Sequence, residues 1–382
     1  MKPVARRNLF WVAVTLTLSG ASLAQEATIR IGHVAPTSGW MAVVGQESEN
    51  GARMAIDALN ERGTSLGGQK VRFELVAEDD AADPAKAVTM AQKLLAAGVK
   101  GVVGHLTSGT TIAASKFYSE AGIPQISPSA TSPAFTEQGH KTAFRVIASD
   151  SVVGGALGRY AITELKATRF AVINDGSPYG QGLAEQFSQA VTAGGAKVVD
   201  AWHINDKAVD YADVLTPLKA RRPELVFFGG MASQAGPMLA QMKALGIDAR
   251  FMGGDGICTP DLATRASGAA ADGQVVCASP GGVDRSDDPE AAKFMGAYAR
   301  RFAADARFYA PYAYDAVMLM ADAMVRAGSS DPAKFLPALA ATRDFRGVTG
   351  PIAFGARGDV VNPALSIYTY KAQKKELVRL VR

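Results

Sequence analysis

The chain has 382 residues, 48% of them hydrophobic and 20% charged, enough for two domains with cores of their own, and this composition excludes a disordered chain. Lys and Arg number 40 against 36 Asp and Glu, a net charge of +4, and no basic stripe with interleaved aromatics occurs, which argues against a nucleic-acid partner.

The first 24 residues fit a secretory signal, with Lys2, Arg6 and Arg7 ahead of an apolar run at 9–18 and Ser22-Leu23-Ala24 as a small-residue cleavage site. Cleavage after Ala24 is expected. The run is too short for a membrane anchor, which needs close to 20 apolar residues. Removing Lys2, Arg6 and Arg7 leaves 37 basic against 36 acidic residues and lowers the net charge to +1. An exported chain meets an oxidising compartment, so Cys258 and Cys277 are expected to form a disulfide stabilising by about 3 kcal/mol; two buried free thiols are the other reading.

From residue 27 onward, β-branched runs alternate with helical patterns. The spacing predicts a strand at 28–34, a Gly-containing loop at 36–39, and a helix over 46–62 with Ala52, Ala55, Ile56 and Leu59 on one face. A strand at 71–77 and a helix from Pro84 to Ala97, stopped by Gly98, follow. The next strand, 99–103, runs into a hydroxyl-rich loop at 106–111 that opens a helix, and the strand at 123–126 runs into a second such loop at 127–132. If the two strands are parallel neighbours, both loops lie at their carboxyl ends, where open α/β sheets bind ligands. Ser108 then stands at a helix start, where free N–H groups favour an anion, although a lone Ser there is more often an ordinary N-cap.

After residues 144–147 the pattern restarts. Helices are expected at 151–165, 180–193, 211–220, 234–245 and 260–266, alternating with strands at 169–174, 196–204, 225–228, 250–253 and 274–278. This alternation predicts parallel sheets, and two series of this length predict two of them. The segment 279–288, rich in Gly, Pro, Ser and Asp, reads as a connection; helices at 289–304 and 312–326 and strands around 352–354 and 366–370 complete the chain.

No catalytic constellation emerges. None of His33, His105, His140 and His203 has a partner at metal-ligand spacing, and the chain lacks a G-x-S-x-G elbow, a P-loop and a G-x-G-x-x-G after a strand. No metal, cofactor or enzymatic activity is expected; the chain reads as a binding scaffold.

The sequence resembles the periplasmic substrate-binding proteins of branched-chain amino acid ABC transporters, the leucine/isoleucine/valine-binding type. The resemblance rests on Gly104-His105-Leu106 followed by Ser108, Ile126-Ser127-Pro128-Ser129-Ala130-Thr131, Tyr179-Gly180-Gln181-Gly182-Leu183-Ala184, Gly229-Gly230, Phe251-Met252-Gly253-Gly254-Asp255-Gly256 and Gly350-Pro351-Ile352, in that order. It implies an α/β, type I periplasmic binding fold, two doubly wound parallel-sheet lobes joined by three crossovers near 148–149, 279–280 and 348–350. The expected lobes are 25–148 plus 281–348 and 149–280 plus 349–382.

The resemblance also implies a site. The ligand's α-carboxylate would meet the Ser108 hydroxyl and the backbone N–H groups of Ser108 and Thr131. Its ammonium would meet the Ser129 carbonyl, the Thr131 hydroxyl and Asp255, a position where the family member compared has Glu. Trp40, Val44, Tyr179, Met231 and Tyr309 would wall the side chain. Val44 and Met231 replace tyrosines of the leucine-binding type, which makes a larger apolar or aromatic side chain a candidate, and Ala82 and Thr107 occupy that type's cysteine positions. The implied protein is a periplasmic, monomeric receptor that closes on an amino acid and delivers it to a membrane permease. The alternatives are the same fold binding an amide, urea or an aromatic acid, an exported enzyme, and a receptor's ligand-sensing domain.

Overall fold

The structure, a computed structural model, describes residues 26–281, 288–306 and 308–381. The expected signal segment and residues 282–287 of the expected connection lie outside the described residues.

Two sheets carry the chain. The first is formed by β1 (Ala27–Ala35), β2 (Ser65–Leu66), β3 (Gln69–Asp79), β4 (Gly101–Gly104), β5 (Gln125–Ser127) and β6 (Ala143–Arg145), in the spatial order β2-β3-β1-β4-β5-β6. All its pairings are parallel except the short β2–β3 hairpin. The second has the order β15-β14-β11-β10-β9-β7-β8, from β7 (Arg169–Asn174), β8 (Lys197–His203), β9 (Leu225–Gly229), β10 (Arg250–Gly253), β11 (Val275–Pro280), β14 (Leu365–Lys371) and β15 (Lys374–Val381). Its last two strands run antiparallel. Between β11 and β14, a small hairpin joins β12 (Phe345–Gly347) to β13 (Gly350–Ile352).

The strands follow from their residues. Central β4 and β9 are buried along their whole length, which is why each reads as an unbroken apolar or glycine run instead of an alternation. Gly104 ends β4 where a Cβ would stand 2.5 Å from the Val34 carbonyl, so only glycine lets β4 finish against β1.

The helices start where the chemistry of their caps directs. α2 (Pro84–Ala96), α10 (Pro289–Phe302) and α12 (Pro332–Ala340) each begin with Asp-Pro. The aspartates Asp83, Asp288 and Asp331 accept N–H groups of the first turn, and proline fills the first helical position, where its missing N–H costs nothing. α1 (Ala42–Glu61) buries Ala52, Ala55, Ile56 and Leu59 as expected, but starts four residues earlier than its hydrophobic face suggests, after a 3₁₀ turn at Gly39–Met41. α3 (Ser108–Glu120), α4 (Ala134–Glu137), α5 (Asp150–Thr163), α6 (Pro178–Ala193), α7 (Ala212–Arg221), α8 (Ala232–Ala244), α9 (Leu262–Arg265) and α11 (Ala310–Ala327) complete the set.

Each sheet has its own core. Ile29, Ile31, Phe73 and Val103 of the first sheet pack with Leu59 of α1 and with Val317 and Met320 of α11. In the second, Phe187 of α6 stacks on Phe227 of β9 at 3.8 Å between ring centroids, and Val226, Phe251 and Leu239 fill the opposite face. Cys277 on β11 is bonded to Cys258, with Cα atoms 5.3 Å apart, so the expected pairing forms.

The chain's last return differs from the expected division at 348–350. Ile352 and Phe354 pack into the first sheet's core and Phe354 lies against Phe144, with ring centroids 4.9 Å apart. Arg145 and Gly358 bond through their backbones, and the chain joins the second sheet only at Leu365. Gly350-Pro351-Ile352 thus pairs as a hairpin beside the first sheet, because its apolar residues face that core.

Candidate ligand-binding cleft

In each sheet the strand order reverses once, on either side of β1 in the first and of β7 in the second. Loops at such a reversal diverge and leave a crevice at the strands' carboxyl ends. Here the two crevices contribute to one cleft of about 1160 Å³. The loop after β1 brings Trp40, the start of α1 brings Val44, and the loop after β4 brings Leu106 and Ser108; Ser129 follows β5. From the second sheet come Tyr179 after β7, Met231 after β9 and Asp255 after β10, with Tyr309 entering at the start of α11. Leu106 was not among the nine expected ligand-binding residues; eight of those nine line the cleft. Thr131 does not; it is buried behind it, 1% exposed.

The two hydroxyl-rich loops are stitched together. Ser127 Oγ donates to the His105 carbonyl at 3.1 Å, Ser129 Oγ to the Leu106 carbonyl at 2.7 Å, and the Ser132 N–H to Ser108 Oγ at 3.2 Å. Thr107, one residue earlier than the serine considered for that role, is the N-cap of α3, its hydroxyl accepting the Thr110 N–H. Ser108 is therefore the first helical residue, where a backbone N–H has no partner within the helix. The loop is held from below by His105, whose Nδ1 lies 2.8 Å from Asp80 Oδ2 and whose Nε2 lies 3.0 Å from the Tyr118 hydroxyl.

Opposite this anion-friendly edge lies acid. Tyr179 and Tyr309 donate their hydroxyls to the two oxygens of Asp255, at 2.9 and 3.1 Å, and the Gly256 N–H donates to Tyr179 Oη at 3.0 Å. Burial and the Asp255 charge push both tyrosines well above their ordinary range, so they remain donors. Burial also pushes the Asp255 carboxyl up, and the two tyrosine bonds offset this only in part.

A second carboxylate, missed from sequence, is Asp150. It starts α5 and its N–H donates to the Thr131 carbonyl at 2.8 Å. It is fully buried, and among the described residues neither of its oxygens has a hydrogen-bond partner; the Thr131 hydroxyl likewise has none. Burial first, and the Asp255 charge second, hold the Asp150 carboxyl well above the carboxylate range. The Thr131 hydroxyl and the Arg145 charge pull the other way less strongly, the hydroxyl lying beyond bonding reach. In sequence, Asp150 looks like an ordinary acid in a helix's first turn; only burial exposes its anomaly.

The sequence profile of the periplasmic binding protein family matches residues 28–375. The chain belongs to the periplasmic binding protein family. A Leu/Ile/Val-binding protein homolog 1 from Brucella abortus is 34% identical over 96% of both chains. The leucine-, isoleucine-, valine-, threonine- and alanine-binding protein of Pseudomonas aeruginosa is 34% identical over 95% of both. Among solved structures, the branched-chain amino acid transporter substrate-binding protein LivJ of Streptococcus pneumoniae, in complex with isoleucine, has a TM-score of 0.82 at 29% identity, covering 93% of this chain and 99% of its own. As a periplasmic binding protein, the chain has the two-lobed type I fold expected from its motifs, and its family consists of solute-binding proteins.

Proposed function

We propose that this protein is a periplasmic receptor that captures a zwitterionic amino acid with an apolar side chain between its two lobes and delivers it to the membrane permease of an ABC transporter. One observation carries the reading. A helix start and hydroxyl-lined loops on one side of the cleft face the Asp255 carboxylate on the other, a polarity that matches an α-carboxylate and an α-ammonium. Asp150, buried behind the cleft beside Thr131, has no hydrogen-bond partner among the described residues, and an ammonium held near Asp255 would favour its charged form. Trp40, Val44, Leu106 and Met231 offer no charge to a side chain, which suits an apolar one; Met adapts to varied shapes. The relatives named for leucine, isoleucine and valine support the same class.

The lobes in this reading are residues 25–148 with 281 to about 361, and 149–280 with the rest of the chain, the third crossover falling just before Leu365 and not at 348–350. Closure about these crossovers is favoured by a ligand that contacts both lobes. The mature protein begins at Gln25, which the mass of the exported protein checks.

Calorimetry with a panel of L-amino acids is expected to find at least one ligand of micromolar affinity or better, weakened by Asp255→Ala. A panel without a binder overturns the proposal. Because both Asp255 oxygens are already held by tyrosines, a ligand lacking an ammonium, such as an amide or an aromatic acid, is the second reading; its affinity would survive Asp255→Asn and Asp150→Asn alike.

A further inference from the structure

Arg145, at the end of β6, is a fully buried guanidinium that touches no part of the cleft. Its fork is nevertheless aimed at the second binding loop. Nη1 donates to the Ala130 carbonyl at 2.7 Å and Nη2 to the Ser132 carbonyl at 2.9 Å, the two carbonyls that flank Thr131. The carbonyl between them, that of Thr131, is taken by the Asp150 N–H. Three consecutive carbonyls are thereby fixed, and with them the direction of the Thr131 N–H and hydroxyl.

The same side chain reaches the last return of the chain. Nε donates to Asp359 Oδ1 at 2.7 Å, Nη2 donates to Thr136 Oγ1 at 3.0 Å, and the Thr136 hydroxyl in turn bonds Asp359. The Arg145 N–H donates to the Gly358 carbonyl at 3.0 Å. Gly358 makes this approach possible: its φ is +85°, and a Cβ there would stand 2.1 Å from the Ala143 carbonyl. Asp359 lies six residues before the chain enters the second sheet at Leu365, and Arg145 five residues before α5 begins at Asp150.

We propose that Arg145, paired with Asp359, is a positioning residue that fixes the second binding loop, and with it the cleft-lining Ser129, and ties that loop to the two chain segments entering the second lobe. A guanidinium is suited to this because its planar fork holds two carbonyls and a carboxylate at fixed angles, which the point charge of lysine cannot do. The proposal rests on the amino acid reading above only for the consequence on affinity; the loop geometry it describes exists without a ligand.

The test therefore has two arms. Hydrogen exchange on the ligand-free protein is expected to show the Ala130 and Ser132 amides exchanging at least tenfold faster in Arg145→Lys, while Val102 and Val103 of β4 keep the protection of the parent. Calorimetry with L-leucine and L-phenylalanine is expected to show whichever binds the parent bound about tenfold or more weakly by the variant. Asp359→Asn, which leaves the fork in place, is expected to move both readouts in the same direction by a smaller factor, and it decides the matter where Arg145→Lys does not fold. Parent-like exchange at Ala130 and Ser132 overturns the proposal, and so does an equal loss of protection across β4, which marks a general packing role. A parent that binds neither amino acid counts against the amino acid reading, and the exchange arm still decides the role of Arg145.

Discussion

Tyr309 and Asp255 meet across the cleft: the hydroxyl of a tyrosine packed against the first sheet's core donates to a carboxylate at the end of β10 in the second sheet, at 3.1 Å. Tyr179, from Asp255's own lobe, holds the other oxygen. The Tyr309–Asp255 bond links the two lobes across the cleft through a carboxylate acceptor, a type of bond worth about 1.5–3 kcal/mol.

Removing that bond is expected to open the protein. Tyr309→Phe keeps the ring and deletes the donor to Asp255, so small-angle scattering of the ligand-free variant should give a larger radius of gyration than the parent. An unchanged radius would show that the bond does not hold the lobes together.

Asp150 gives a prediction with opposite signs in two measurements. Asp150→Leu replaces a buried carboxyl without partners among the described residues by an apolar group of similar size, so denaturant titration should find the ligand-free variant more stable by about 1–3 kcal/mol. Calorimetry should find its amino acid affinity weakened tenfold or more. A loss of both stability and affinity would assign Asp150 to the fold alone.

Met231 sets the width of the side-chain wall. A tyrosine there would add a rigid ring to the cleft, and Met231→Tyr is expected to shift preference from L-phenylalanine towards L-leucine. A change of pocket size by a group of this kind alters discrimination by about 1–3 kcal/mol. Competition binding of the two amino acids to parent and variant measures it; an unaltered ratio would place Met231 outside the wall.

His33 makes stability sensitive to acid. Burial lowers its pKa from 6.5 to about 4, so it folds neutral while the unfolded chain takes up its proton from pH 6.5 downward. The stability tied to the neutral form is present above pH 6.5 and is lost as pH falls through about 4, a span worth up to about 3 kcal/mol. His33→Gln should flatten the pH dependence of unfolding by about that amount between pH 6.5 and 4. Asp315, pushed up to about 6 by burial, acts in the opposite direction: its folded form binds a proton more tightly than its unfolded form, so its contribution improves as pH falls from about 6. Comparing His33→Gln with the parent cancels that background.

Much of this protein was legible in its residues alone. The alternation of β-branched runs with amphipathic helices reports local burial, so two sheets, their helices and the loops bearing Ser108, Ser129, Tyr179, Met231 and Asp255 were readable from periodicity and from motifs in order. The Cys258–Cys277 bond was readable because an exported pair has few other fates. What depended on tertiary structure is what depends on packing between distant segments. Thr131 stands behind the cleft because Arg145 and Asp150 hold the carbonyls around it, and Ile352 and Phe354 stay with the first sheet because their apolar faces fit Phe144 and its neighbours. Asp150 is the clearest case. Its sequence neighbourhood describes a solvated first-turn acid, and only the fold, by burying it, turns that acid into a carboxyl with no hydrogen-bond partner among the described residues.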